Sequence, residues 1–209
     1  MIITEKHSQI LLQAEELFAS KGYEATTVRD IAEAAGVNLA MISYYFGSKE
    51  KLLEALFKER MTAARHKVEA IVKNDSLEPF QKMEIVIDEY VKKVSDKQSF
   101  HKILLSEQVI NKNTVVLKLL KELKMDYARL LGDVITEGQR RKIFKKDIDV
   151  ILLQTTMAGT VLNMLISKEN YREFNNLKKL SDAAFEELLY NNLRKHLKQI
   201  FKAILGYES

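Results

Sequence analysis

Apolar positions along this chain recur every three to four residues, the period of a helix with one buried face. Ile10, Leu11, Ala14, Leu17 and Phe18 predict a first helix over residues 5–21, with Gly22 where a left-handed C-terminal cap is wanted. Thr27-Val28-Arg29-Asp30 has capping-box spacing, with Asp in place of the usual Glu. It opens a short second helix whose Ile31, Ala32 and Ala35 share a face before Gly36. Asn38 caps a third helix that runs through Ile42 to Tyr45 and stops at Gly47. Ser48 caps a fourth, carried by Leu52, Leu53, Leu56, Phe57, Met61, Ala64, Val68 and Ile71 to about residue 73, where Asn74, Asp75, Ser76 and Pro79 break the pattern. Further helices are predicted over 78–95, 100–110, 114–141, 147–167 and 182–205, about nine in all with no convincing strand. The expected fold class is all-α, with a three-helix N-terminal domain over residues 1–48, behind which helix four packs from residue 49 before linking onward, and a helical C-terminal domain over 49–209.

Composition narrows the chemistry. Hydrophobic residues make up 46% and charged residues 30% of 209, a globular balance. Seven Gly and one Pro leave few tight turns, which argues against a sandwich or barrel. There is no Cys, the four His are scattered, and no HExxH, P-loop or GxGxxG occurs. No metal site, no cofactor and no enzymatic activity are expected. The first residues carry Glu5 and Lys6 without an apolar signal core, and residues 150–167, although uncharged, contain Gln154, Thr155, Thr156, Thr160, Asn163 and Ser167. A cytoplasmic protein with no membrane partner is the expectation. Net charge is +4, but residues 1–60 hold seven basic and nine acidic groups, so bulk charge does not locate a nucleic-acid site.

The segment from Thr27 to Phe57 carries the functional reading. Two short helices joined at Gly36, with a third element behind them, have helix-turn-helix geometry: Ile31, Ala32, Val37 and Ile42 fill the interior and the bend presents the third helix outward. Its N-terminal residues Asn38, Leu39, Ala40 and Met41 would meet base edges in a major groove, favouring A·T pairs. Ser43 shares this outward helix. Tyr44 and Tyr45 could direct hydroxyls to phosphate, Lys49 adds charge where helix N–H groups favour an anion, and Thr27 and Arg29 could hold the other strand. Taken singly, each reads better as surface padding or helix capping. Their convergence on one face favours DNA contact.

Thr26-Thr27, Ile31-Ala32, Ala35-Gly36-Val37, Ile42, Tyr44-Tyr45-Phe46 and Lys49 together make residues 5–57 resemble the N-terminal domain of TetR-family transcriptional regulators. The resemblance implies that Tyr44 and Lys49 sit at phosphate-contacting positions, Thr27 and Arg29 at the start of helix two, and residues 38–41 with Tyr45 on the base-reading surface. The family often has Tyr where Ser43 stands and Gly or Thr within residues 39–41, so the operator need not be a family consensus. The resemblance also implies a C-terminal ligand-binding and dimerisation domain.

The last helix repeats Phe185, Leu188-Leu189, Asn192-Leu193, His196-Leu197, Ile200-Phe201 and Ile204, a stripe wide enough for two neighbours. With the uncharged helix at 150–167 it can build half of a four-helix interface, drawn from Val161, Leu165, Leu188, Leu189, Asn192, Leu193, His196 and Leu197. A twofold homodimer suits a palindromic operator with half-sites about 34 Å apart. Surplus apolar residues could line a pocket for an unknown small-molecule effector: Phe80, Met83, Ile87, Tyr90, Phe100, Leu104, Met125, Met157 and Val161, with Gln108, Gln154 and Thr155 as polar groups. The basic run Arg140–Lys146 reads as a solvated helix end. The expected function is a repressor released from its operator by a mostly apolar ligand through helix four. A ligand-independent regulator or activator is the alternative, and a helical enzyme or carrier a distant one.

Overall fold

The computed structural model describes residues 5–111 and 114–208. Among these the elements are α1 (Glu5–Lys21), α2 (Val28–Ala34), α3 (Leu39–Phe46), α4 (Lys49–Val72), α5 (Pro79–Asp96), α6 (Gln98–Ser106), a π-helical turn (Glu107–Asn111), α7 (Thr114–Arg140), α8 (Val150–Phe174) and α9 (Asp182–Leu205), with no strand. Eight of the nine helices end close to where the apolar period ends. The exception is α8, expected to stop at Ser167. Ser167 is non-helical (φ −106, ψ 19), and its hydroxyl donates to the Asn163 carbonyl at 2.8 Å, competing with the helical ladder. The chain nevertheless resumes a helix. Lys168 pairs with Glu186 at 2.5 Å, and Arg172 donates to Asp182 at 2.7 Å and to the Leu180 carbonyl. Those bonds tie the polar tail of α8 to the start of α9.

The chain divides into two compact units, neither a single stretch: residues 1–64 with 97–123, and residues 65–96 with 124–209. A boundary at residue 48, expected from sequence, cuts through the first of them, because α1–α3 do not close their core alone. Ile10, Leu11, Ile31, Ile42 and Phe46 pack with Leu52, Leu53, Leu56 and Phe57 of α4 and with Phe100 and Ile103 of α6. Phe57 and Phe100 meet at 5.0 Å between ring centres. A largely buried ion pair, Arg60 to Glu15 at 2.8 Å, joins α4 to α1 in the same unit.

In the second unit Met83, Ile87 and Val91 of α5, Leu131 and Val134 of α7, Leu153, Met157 and Val161 of α8, and Leu189, Leu193, Leu197 and Phe201 of α9 form one apolar cluster. Lys82, only 2% exposed, donates to Glu137 at 2.9 Å, and that bond holds the Glu137 carboxyl below the usual carboxylate range. The basic run Arg140–Lys146 is more than a solvated end. Phe144 folds under it into the core, so close to Gly138 that a Cβ there would lie 2.1 Å from the ring. Lys145 donates its backbone N–H to Leu205 at 2.8 Å.

Candidate nucleic-acid interface

Three local devices build the N-terminal reading surface. At the start of α2 the Thr27 hydroxyl accepts from Asp30 N–H at 3.1 Å, while Asp30 Oδ2 accepts from Thr27 N–H at 2.8 Å, completing the capping box that the sequence predicts. The Thr27 amide and hydroxyl hold the Asp30 carboxyl below the usual carboxylate range. At the turn, Gly36 adopts φ 59, a left-handed conformation, and Val37 N–H returns to the Ala32 carbonyl at 3.0 Å. Asn38 Oδ1 then caps α3 by accepting from Met41 N–H at 2.9 Å.

Helix α3 is thereby turned with Ile42 and Phe46 inward. Leu39, Ala40, Ser43 and Tyr44, neighbours on the opposite face, are exposed, as are Thr27, Arg29 and Asn38. Leu39 is 46% and Tyr44 84% exposed, an apolar and aromatic surface that nothing in the unit's own core needs.

Three of the expected contacts have other commitments. Asn38 Oδ1 accepts the cap hydrogen bond, which ties its side chain to the start of α3 and leaves the amide N–H groups and one oxygen lone pair for a partner. Tyr45 is half-buried, its ring 6.0 Å from His7 in an edge contact, and supports α1 more than it faces outward. Lys49, expected at a phosphate, donates instead to the carbonyls of Tyr23 and Thr26 at 2.9 and 3.1 Å. His7, buried beside Phe46 at 4.8 Å between ring centres, is a support that the sequence reading missed, although its spacing to Ile10 and Leu11 places it on the buried face of α1.

This arrangement coincides with the span of a known family. Residues 10–56 match the model of bacterial regulatory proteins, tetR family, and residues 57–191 match that of the YsiA-like protein, C-terminal region. The chain belongs to the TetR family. It is a DNA-binding transcriptional regulator and not an enzyme. It is 28% identical to the fatty acid metabolism regulator protein of Bacillus subtilis, over 75% of this chain and 79% of that one. It is also 28% identical to the transcriptional repressor KstR2 of Rhodococcus jostii, over 70% and 72% of the two chains. The crystal structure of the regulator FadR from Bacillus subtilis in complex with stearoyl-CoA superposes with a TM-score of 0.67 and 25% identity, covering 91% of this chain and 97% of that one.

In this TetR-family chain the residues expected to form a pocket fall in both compact units. Phe100 and Leu104 belong to the core of the first unit, where Gln108 donates to the Leu104 carbonyl at 3.3 Å. Met83, Ile87, Met157 and Val161 are packed in the core of the second, and Met125 and Thr155 are exposed. Gln154 donates to the Lys124 carbonyl at 3.2 Å. Phe80 stacks on Tyr207 at 4.3 Å, in a cleft between α5 and α9 that is lined largely by charged side chains such as Glu84, Asp88, Lys92, Arg194 and Lys198. Beside the expected Tyr90 on α5 stand two residues that sequence reading missed, Lys93 of the same helix and Tyr127 of α7: burial pushes the Lys93 ammonium down to about 8 and raises both phenols.

The expected dimer residues also separate into two sets. Val161, Leu165, Leu189, Leu193 and Leu197 are buried in the chain's own core, in one cluster with residues of α5 and α7. Leu188, Asn192 and His196 are exposed along the other side of α9. On α8 Leu152, Thr155, Gly159, Asn163 and Ile166 are exposed, Leu152 by 64% and Ile166 by 69%. Helix α8 is long and apolar enough to cross a membrane by length and composition, yet Leu153, Met157, Val161 and Leu165 form part of the unit's core.

Proposed function

We propose that this regulator is a cytoplasmic repressor that binds a palindromic operator as a homodimer and leaves it when a long-chain acyl thioester of coenzyme A binds the C-terminal unit. The observation that carries the DNA reading is the exposed face of α3, Leu39, Ala40, Ser43 and Tyr44, with Thr27 and Arg29 beside it at the start of α2. Apolar Leu39 and Ala40 suit thymine methyl groups, and Thr27, Arg29, Ser43 and Tyr44 suit phosphate oxygens. The exposed apolar line of Leu152 and Ile166 on α8 with Leu188 and Ile204 on α9 supports a second copy as the partner. The stearoyl-CoA complex of the Bacillus subtilis regulator supports the effector class, and the repressor name of the Rhodococcus relative supports the sign.

The test begins with selection of duplexes from a random pool, followed by titration of the recovered duplex with stearoyl-CoA or with free coenzyme A. Stearoyl-CoA is expected to weaken DNA binding by about 5- to 150-fold and coenzyme A alone to have little effect, and the duplex should weaken acyl-CoA binding by the same factor. A monomeric protein, or one without duplex preference, would overturn the DNA reading. Equal DNA affinity with and without acyl-CoA would overturn only the effector.

A further inference from the structure

Helices α5 and α7 run antiparallel in the second unit. Lys82 meets Glu137. Further along α5, and correspondingly further back on α7, Tyr90 lies close enough to Tyr127 for their charges to interact. Lys93, one turn past Tyr90 on the same face, therefore stands level with Tyr127. The last turns of α4 are tied to both helices at this level: Lys67 pairs with Glu89 of α5 at 2.5 Å, and Arg65 with Asp126 of α7 at 3.3 Å. Tyr90 and Tyr127 pack against the apolar core that holds Val91, Val94 and Leu131.

This junction holds three donors that the chain itself does not use. Lys67, Arg65 and Lys82 each have a carboxylate. Among the described residues none pairs with Lys93, and burial alone shifts its ammonium. The hydroxyls of Tyr90 and Tyr127 likewise make no hydrogen bond among those residues. All three side chains are half-buried, withdrawn from bulk water and still reachable. A cation in such a place is costly until an acceptor meets it. An ammonium and two phenol O–H groups favour an oxygen acceptor, and the apolar core beside them favours a hydrocarbon chain attached to it.

We infer that Lys93, with Tyr90 and Tyr127, binds the acyl oxygen of the effector: the carbonyl of a long-chain thioester or the carboxylate of the corresponding free acid. The inference rests on the acyl effector proposed above and adds the residues that recognise its polar end.

The test titrates the parent protein, Lys93→Met and Tyr127→Phe by calorimetry with stearoyl-CoA and with S-octadecyl-coenzyme A. That thioether keeps the chain and the phosphates and lacks only the carbonyl oxygen. Lys93→Met is expected to weaken stearoyl-CoA binding about 10- to 100-fold, as loss of a hydrogen bond from a charged group does, and Tyr127→Phe about 3- to 10-fold. Both variants should bind the thioether at least as well as the parent, because nothing in it accepts from these donors.

Stearate, titrated in parallel, separates the two sources: the larger loss in Lys93→Met falls on stearoyl-CoA if the site takes a thioester and on stearate if it takes a carboxylate, and either supports the inference. Equal losses for thioester and thioether, as a phosphate contact or a distorted fold would give, overturn it and leave the acyl effector standing. So does undiminished binding of every ligand in Lys93→Met. A parent protein that binds neither stearoyl-CoA nor stearate overturns the effector reading and the inference with it.

Discussion

Helix α3 buries two of its eight residues, Ile42 and Phe46, whereas α9 buries seven of twenty-four, strung along a stripe from Phe185 to Leu205. Both helices present a surface outward, but they differ in how far their pattern specifies it. Two buried side chains four residues apart fix the rotation of a short, capped helix, and everything opposite them faces out. A stripe broad enough for two neighbours fixes only that both exist. On α9 the division between them runs between adjacent residues: Leu188 outward and Leu189 inward, Asn192 and Leu193, His196 and Leu197. The difference shows that helix length and caps, more than hydrophobicity, decide how well a binding surface can be read.

The sharpest way to break this comparison is to truncate the two sides of α9 separately. Leu197→Ala removes a fully buried side chain and is expected to cost about 2–5 kcal/mol in urea unfolding. Leu188→Ala is expected to cost less than about 1 kcal/mol in the dissociated chain while shifting a dimer toward monomer in sedimentation. Equal unfolding costs would show that the two faces are not distinct.

A charge within the second unit offers the next largest effect. The folded Lys93 ammonium releases its proton near 8, the unfolded one near the ordinary 10.5. Between those values the unfolded chain binds more protons, so this residue makes stability rise with pH, and below 8 its desolvation cost is fully present. Lys93→Met is expected to be more stable than the parent by about 2–3 kcal/mol at pH 7. The advantage should shrink across pH 8–10.5. Thermal unfolding of both proteins across that range checks it, and a difference independent of pH would show that burial of the charge is not the cause.

Smaller effects are expected at the reading surface. Thr27→Ala removes one half of the capping box and should cost about 1 kcal/mol in unfolding. Tyr44→Phe, at a residue 84% exposed, should change stability by less than about 0.5 kcal/mol and weaken duplex binding by roughly three- to tenfold through one lost hydroxyl contact. If Tyr44→Phe lowered stability as much as Thr27→Ala, the outward assignment of α3 would be in doubt.

Much of the N-terminal site was legible because its signals are local. Thr27 with Asp30, Gly36, and Asn38 with Met41 lie within four residues of what they bond or bend, so spacing alone predicts them. Which core each apolar residue joins was not legible, since Met83, Phe100 and Met157 have the same apolar character in sequence and only packing assigns them to different cores.

The order of the helices and all but one of their ends, the outward face of α3 and the membership in the TetR family were determined by the sequence itself, through short-range capping, turn chemistry and the helical period. Tertiary structure alone decided that Lys49 reaches back twenty-six residues to the Tyr23 carbonyl, that α6 joins the core of α1–α4, and which edge of α9 is left outside. Each of these depends on groups far apart in the chain, whose meeting is settled by how the helices pack and not by any residue's immediate neighbours.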